Sequence, residues 1–284
     1  LYCVPRSLHS FPTRRSSDLM YQKRPKTLAR DITLLIFFTI VIVWSTQTIH
    51  FDGLNPAGIV ISRSILDALT KPNLEWLLNF GEGTSIPKLM LETVAMAFLG
   101  TILGAILAIP FAFLSARNIT GRFASFFGNT LIGMIRTFPI FILGLMFIRV
   151  TGPGPLAGVL TIGISSIGMI SKLYVEIIED IDSGIIMALD ATGANSFQKI
   201  RYGIIPQLTP NFISTAIYRF EINVRNATIL SLVGAGGIGF TLTAALAVYR
   251  WVDAAAALWG IVIVVLVIEV ISNKIRSMLV SGDR

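Results

Sequence analysis

Long apolar runs separated by short polar stretches dominate the chain. Residues 32–48 carry no charge, and neither do 93–115. Residues 123–147 are interrupted only by Arg136. Residues 150–171 are uncharged and contain Gly152-Pro153-Gly154-Pro155, a turn signature just ahead of a helix. Residues 209–233 form a long run that holds Arg219, Glu221 and Arg225, and 254–272 hold Glu269. About 20 apolar residues suffice to cross the hydrocarbon core as a helix, so the pattern predicts an all-α polytopic membrane protein with six transmembrane helices. The runs are continuous rather than alternating, which argues against a closed β-barrel. Between His50 and Lys88, Ile61, Ile65, Leu66 and Leu69 have helical spacing, and 74–80 carry Trp76. This stretch reads either as interfacial helices on the outer leaflet or as helices packed on neighbouring spans.

Composition agrees: 54% of the 284 residues are hydrophobic and only 14% charged, where a soluble domain carries nearer a quarter. The net charge of +7 needs no nucleic acid to explain it, because cytoplasmic loops of membrane proteins collect Lys and Arg. With the start inside, the inner segments hold Lys23, Arg24, Lys26, Arg30, Arg117, Arg122, Lys172, Lys199, Arg201, Lys274, Arg276 and Arg284. The outer segments hold Arg63, Lys71, Lys88, Arg149 and Arg250. Both ends, and the loop around Gly193, are therefore expected on the cytoplasmic side.

Residues 1–19 differ from the rest of the chain. The string from Phe11 to Asp18 resembles translated adaptor sequence, so 1–19 are expected to be a non-native or disordered leader. Residues 20–88 are then the cytoplasmic start, first span and outer segment. Residues 89–273 form a five-span core with a cytoplasmic loop at 184–206, and 274–284 a cytoplasmic tail.

One cysteine, Cys3, and two histidines, His9 and His50, leave no disulfide framework and no zinc motif. There is no Gly-Lys-Ser/Thr, so a Walker A loop is absent and any ATP-driven transport needs a separate ATPase chain. No Gly-x-Ser-x-Gly or His cluster points to an enzyme. Charges inside spans are costly and mark a bundle interior or a water-filled path. Glu221 and Arg225 have the i,i+4 spacing of an ion pair. Arg136 lies in Gly-Met-Ile-Arg-Thr-Phe-Pro139, where Pro139 removes a helix hydrogen bond. Arg136 and Arg219 lack carboxylate partners in their own spans. They read as an anion path, or as snorkelling charges or partners of Glu92 or Glu269. Gly234, Gly236, Gly237 and Gly239 come after the fifth run and suit close packing or a gate; no strand precedes them, which disfavours a dinucleotide fold.

The polar stretch Met187-Ala188-Leu189-Asp190-Ala191-Thr192-Gly193, nine residues, then Gly203-Ile204-Ile205-Pro206 fits a short helix, a turn and a second short helix. It resembles the EAA loop of ABC importer permeases in spacing, with Met187 in place of the acid, Leu189 for the second alanine, Gly203 for isoleucine and Ile205 for leucine. The run 223–239, Asn-Val-Arg-Asn-Ala-Thr-Ile-Leu-Ser-Leu-Val-Gly-Ala-Gly-Gly-Ile-Gly, resembles the fifth-span signature of phosphonate transporter permeases. Arg136-Thr-Phe-Pro139, Glu176 to Asp182 with Gly184, and Phe197-Gln-Lys-Ile-Arg-Tyr-Gly203 do so too.

The resemblance implies a type I (MetI-like) ABC permease of a bacterial inner membrane. It implies a homodimer that docks two ATPase subunits and receives its substrate from an extracytoplasmic binding protein. ATP and magnesium would sit on the ATPase, with no cofactor on this chain. Ala188, Leu189, Asp190, Gly193, Asn195 and Pro206 would form the coupling loop, with Pro206 stopping the second short helix. The implied substrates are phosphonates, phosphite or phosphate esters. A permease for another small solute such as methionine, or a secondary carrier, is the alternative.

Overall fold

The computed structural model describes residues 28–48, 56–78, 81, 85–195 and 198–281; the expected leader at 1–19 lies outside them. The chain divides into two units, Leu1–Ile59 and Val60–Arg284. The first unit contributes α1 (Leu28–Thr48), an apolar helix with every residue exposed within the chain. Helix α2 (Pro56–Thr70) begins in this unit and continues into the second.

The regular elements in the rest of the second unit's described residues are all helices: α3 (Leu74–Leu78), α4 (Ile86–Ser115), α5 (Arg122–Thr137), α6 (Ile140–Thr151), α7 (Pro155–Glu179), α8 (Ser183–Ala191), a π-helical segment (Lys199–Ile204), α9 (Ile205–Ser231), α10 (Ile238–Ala247) and α11 (Trp251–Ser281). Helices α4 and α7 form the central pair, and glycine is why they approach so closely. A β-carbon on Gly100 would stand 2.8 Å from Ile162 Cβ, and one on Gly104 2.6 Å from Ser166 Cβ. Small residues at such crossings are the usual way membrane helices gain contact where no hydrophobic drive exists between them and lipid. Three apolar clusters run along the bundle. One joins Ile86 and Met90 to Ile238, Leu242 and Ala257. The middle one joins Ala97, Ile162, Val224 and Ala227. The third, at the opposite end, joins Ala108, Ile132, Ile170, Tyr174 and Leu208.

Helices α1, α4, α7 and α11 (to Leu279) are long and apolar enough to span a membrane. The run 123–147, expected as one span, is instead two helices, α5 and α6, bent by 80°. Phe138 takes the extended conformation (φ −75°, ψ 118°) that a following proline imposes, and Pro139 then caps α6. Counted as one span, the pair makes five. The fifth expected run, 209–233, forms most of the 27-residue α9, which holds Arg219, Glu221 and Arg225 and is not among those long apolar helices. The turn expected ahead of the fourth run's helix is present: Val150 and Thr151 end α6, Gly152 (φ 84°) and Gly154 (φ 146°) make the turn, and Pro155 opens α7. Proline suits that position because its missing N–H has no helical partner to lose.

Within the second unit, the described residues ahead of α4 pack on the bundle rather than lying free. The Trp259 indole donates to the Leu69 carbonyl (3.0 Å), and Asn73 donates to Asp253 (3.1 Å).

Candidate functional site

Between α7 and α9 the chain builds a compact helix–turn–helix. Asp182 caps α8 by accepting the Gly184 amide (2.8 Å), and its own amide donates to Gln207 (3.1 Å). At the far end Ala194 N–H reaches the Leu189 carbonyl (3.1 Å) and Gly193 N–H the Asp190 carbonyl (3.0 Å). That pair is a Schellman motif, and Gly193 supplies its left-handed residue (φ 78°). Two residues on, Asn195 and Gln198 exchange side-chain-to-amide bonds, each 2.9 Å, a reciprocal capping box for the next helix.

The module closes where Leu189 rests on Gly203, whose β-carbon would lie 2.9 Å from Leu189 Cδ1. Asp190 and Lys199 form an ion pair across the two arms. Ala188, Asp190, Gly193, Asn195 and Pro206 are exposed, while Leu189 is half-buried. Met187 and Tyr202 are also exposed, at 63% and 66%.

Pro206 does not stop the second arm. The π-helical segment runs straight into α9, with Ile204 and Ile205 both helical and the Ile205 amide bonded to the Ile200 carbonyl. The wider i→i−5 turn receives the proline ring where a regular turn would meet a carbonyl clash. The second short helix is thus continuous with the fifth run, so a displacement of the module is transmitted directly to α9.

The glycine-rich segment lies at the opposite end of α9. Gly234, Gly236 and Gly237 have φ of 102°, 82° and 75°. Gly154 N–H donates to the Gly234 carbonyl (3.0 Å). The Glu92 carboxylate accepts the Gly237 amide (3.0 Å) and the Thr93 hydroxyl accepts the Ile238 amide (3.1 Å). The start of α10, a natural anion site, is therefore occupied by the chain's own side chains. A β-carbon at Gly239 would meet Ser231 Cβ at 2.6 Å, so this glycine serves close packing.

The intramembrane charges separate into three kinds. Arg136 is exposed at the break between α5 and α6, and its stem lies on Gly168, where a β-carbon would stand 2.8 Å from Arg136 Cγ. Arg219 is buried at 6% exposure, with its Nε lacking a hydrogen-bond partner. Among the described residues neither pairs with a carboxylate; Glu92 is engaged at Gly237 instead. Glu221, buried, pairs with the half-exposed Arg225. Replacing Arg225 by glutamine strands that carboxylate. Breaking a buried pair costs about 3–5 kcal/mol, reduced here because Arg225 is only half-buried. The expected outcome is a lower melting temperature of the detergent-solubilised protein, restored by pairing Arg225→Gln with Glu221→Gln.

Sequence reasoning missed two polar contacts. Asn223, fully buried, donates to Thr101 Oγ1 (2.9 Å) on α4 and to Ser166 Oγ (2.8 Å) on α7, tying three helices at one level. An asparagine inside an apolar run is the available signal, but its partners are distant in sequence. Glu92 reads from the sequence only as a possible arginine partner. No group of three or more metal-ligating side chains occurs among the described residues.

The pattern of the family described as "Binding-protein-dependent transport system inner membrane component" matches residues 100–281. The phosphite transport system permease protein PtxC of Stutzerimonas stutzeri is 36% identical over 189 residues, which cover 66% of this chain and 68% of that protein. The phosphate-import permease protein PhnE of Mycolicibacterium smegmatis is 34% identical over 250 residues, covering 87% of this chain but 45% of that longer protein. The fold is that of the MetNI methionine ABC transporter in an inward-facing crystal form, with a TM-score of 0.58 at 21% identity, over 66% of this chain and 93% of that one. The all-α architecture, the type I permease fold and the match over residues 100–281 lead to one conclusion: the chain belongs to the binding-protein-dependent transport system inner membrane component family, and is a transport permease subunit rather than an enzyme.

Proposed function

We propose that this chain is the membrane subunit of an ATP-driven importer of phosphorus oxyanions: phosphonates, phosphite or phosphate esters. The observation that carries the substrate class is the similarity to phosphite and phosphate permeases at 36% and 34% identity; the methionine transporter shares the fold at 21%.

The coupling role rests on the helix–turn–helix. It is capped at both internal ends, braced by the Asp190–Lys199 pair, and continuous with α9. Its exposed Met187 and Tyr202 offer apolar surface to a partner. With both ends and this loop on the cytoplasmic side, the partner is an ATPase subunit that carries ATP and magnesium. ATP-driven closure of paired ATPases would move two such modules together and, through α9, bias the bundle between inward- and outward-open states.

The homodimer is inferred from Arg136. It stands about 21 Å along α5 from Arg122 at the cytoplasmic end, so it lies deep in the membrane. An exposed guanidinium facing lipid there costs roughly 2.5–3.5 kcal/mol on insertion scales. Facing a second copy across an aqueous path removes that cost and gives the anion a positive wall. Arg219 is enclosed and adds to the field from behind rather than by contact. Neither should hold the anion tightly, since tight binding slows release. An extracytoplasmic binding protein delivers the substrate.

The test is uptake by proteoliposomes holding the permease, its ATPase and its binding protein. Labelled methylphosphonate, phosphite and phosphate are offered beside methionine. Uptake of a phosphorus oxyanion, and its reduction by at least tenfold in Arg136→Gln with ATP hydrolysis retained, is the expected result. Methionine uptake alone, or full oxyanion uptake by the variant, contradicts the substrate class or the guide role respectively.

A further inference from the structure

Helix α10 ends in the same hydrogen-bond pattern as α8. Arg250 N–H bonds to the Ala245 carbonyl (2.9 Å) and Tyr249 N–H to the Leu246 carbonyl (3.2 Å), a second Schellman motif. The left-handed position that Gly193 fills in α8 is filled here by Tyr249, at φ 59°. Among the described residues it is the one non-glycine with positive φ, in a conformation that a β-carbon disfavours.

Packing does not account for the ring. Tyr249 is 67% exposed, and its ring contact is an edge-on approach to Trp251 at 5.7 Å between centroids. Glycine would make this turn with less strain, so what tyrosine adds at this position is its exposed ring. Strain of this kind collects where a residue must be displayed.

Its neighbours are of the kind that concentrate binding energy at protein interfaces, Tyr, Arg and Trp in one turn. Arg250 is fixed by an ion pair to Asp253, which in turn accepts from Asn73 (3.1 Å). The turn stands between two hollows. One, of about 780 Å³, is walled by Trp76, Phe240 and Arg250. The other, of about 580 Å³, is walled by Asp67, Lys71 and Trp251. The turn joins α10 to the outer end of α11, facing the compartment from which substrate arrives. A knob between two hollows is a shape for a protein partner, whereas an aromatic anchor in the headgroup layer needs no left-handed backbone.

We infer that the Tyr249–Arg250–Trp251 turn is a contact point for the extracytoplasmic binding protein, an inference that rests on the importer reading. The experiment titrates fluorescently labelled binding protein, loaded with methylphosphonate, onto the permease–ATPase complex in nanodiscs. Tyr249→Gly removes the ring and relieves the backbone, and Tyr249→Phe keeps the ring. The glycine variant should melt no lower than the parent, yet bind at least tenfold more weakly; the phenylalanine variant should stay within threefold of the parent. Binding by the glycine variant within twofold of the parent overturns the inference, and a loss of bilayer stability alongside that result makes the ring a lipid anchor instead. If the parent complex itself does not bind the protein, the importer reading fails and takes this contact with it.

Discussion

Gly104→Val is expected to leave little folded permease in the membrane. The first added carbon alone would stand 2.6 Å from Ser166 Cβ and 2.8 Å from the Gly163 carbonyl oxygen. The second contact is backbone, so it is relieved only by moving α7 away from α4. Gly100 allows no pivot, because a β-carbon there has only 2.8 Å to Ile162 and 3.0 Å to the Val159 carbonyl; the two helices already touch one turn further out. Moving α7 also carries Ser166 away from Asn223, whose bonds to Ser166 and Thr101 measure 2.8 and 2.9 Å. Overpacking costs about 1–3 kcal/mol, occasionally more, and interhelical hydrogen bonds in membranes about 0.6 kcal/mol each. Those terms add in the same direction. Membrane-fraction yield and the melting temperature of the solubilised protein check this, with Gly104→Ala expected to fall between parent and valine. A valine variant that accumulates and melts like the parent would show that α4 and α7 have slack that their contacts deny.

The elements were legible in the sequence wherever one local rule decided them. The turn at Gly152–Pro155, the i,i+4 pair of Glu221 and Arg225, and the helix–turn–helix around Gly193 each depend on residues within a few positions of one another. The bend at Phe138 was half legible: Pro139 announced a lost hydrogen bond, but whether the helix kinks slightly or turns through 80° depends on what α5 and α6 pack against. Pro206 misled for a related reason. Proline stops an α-helix, and no local signal indicates a π turn wide enough to take it. The uses of Glu92 and Asn223 were hidden altogether, since their partners Gly237, Thr101 and Ser166 lie 57 to 145 positions away. Charge counting assigns sidedness but cannot see that Arg219 is enclosed while Arg136 is exposed, because that difference is made by neighbouring helices.

Gly193→Asp is expected to abolish uptake while leaving the permease inserted and folded. The turn itself should survive. Aspartate is among the residues that tolerate the left-handed region, and a β-carbon at Gly193 meets no other atom within 4 Å. The two hydrogen bonds of the Schellman motif use backbone groups that the substitution keeps, and the Asn195–Gln198 capping box and the Asp190–Lys199 pair lie to either side of it. Nothing inside the chain therefore explains a loss of transport. What changes is the exposed surface, which gains bulk and a negative charge at the tip of the module. If an ATPase subunit closes on that tip, the variant should lose ATPase co-purification and more than nine-tenths of uptake, with unchanged membrane yield and melting temperature. Gly193→Asn, of nearly the same size but uncharged, should recover part of the association if charge rather than bulk is the obstacle. Retention of the ATPase and of near-parental uptake by the aspartate variant would remove the module from the coupling interface and leave its two caps as features of folding alone.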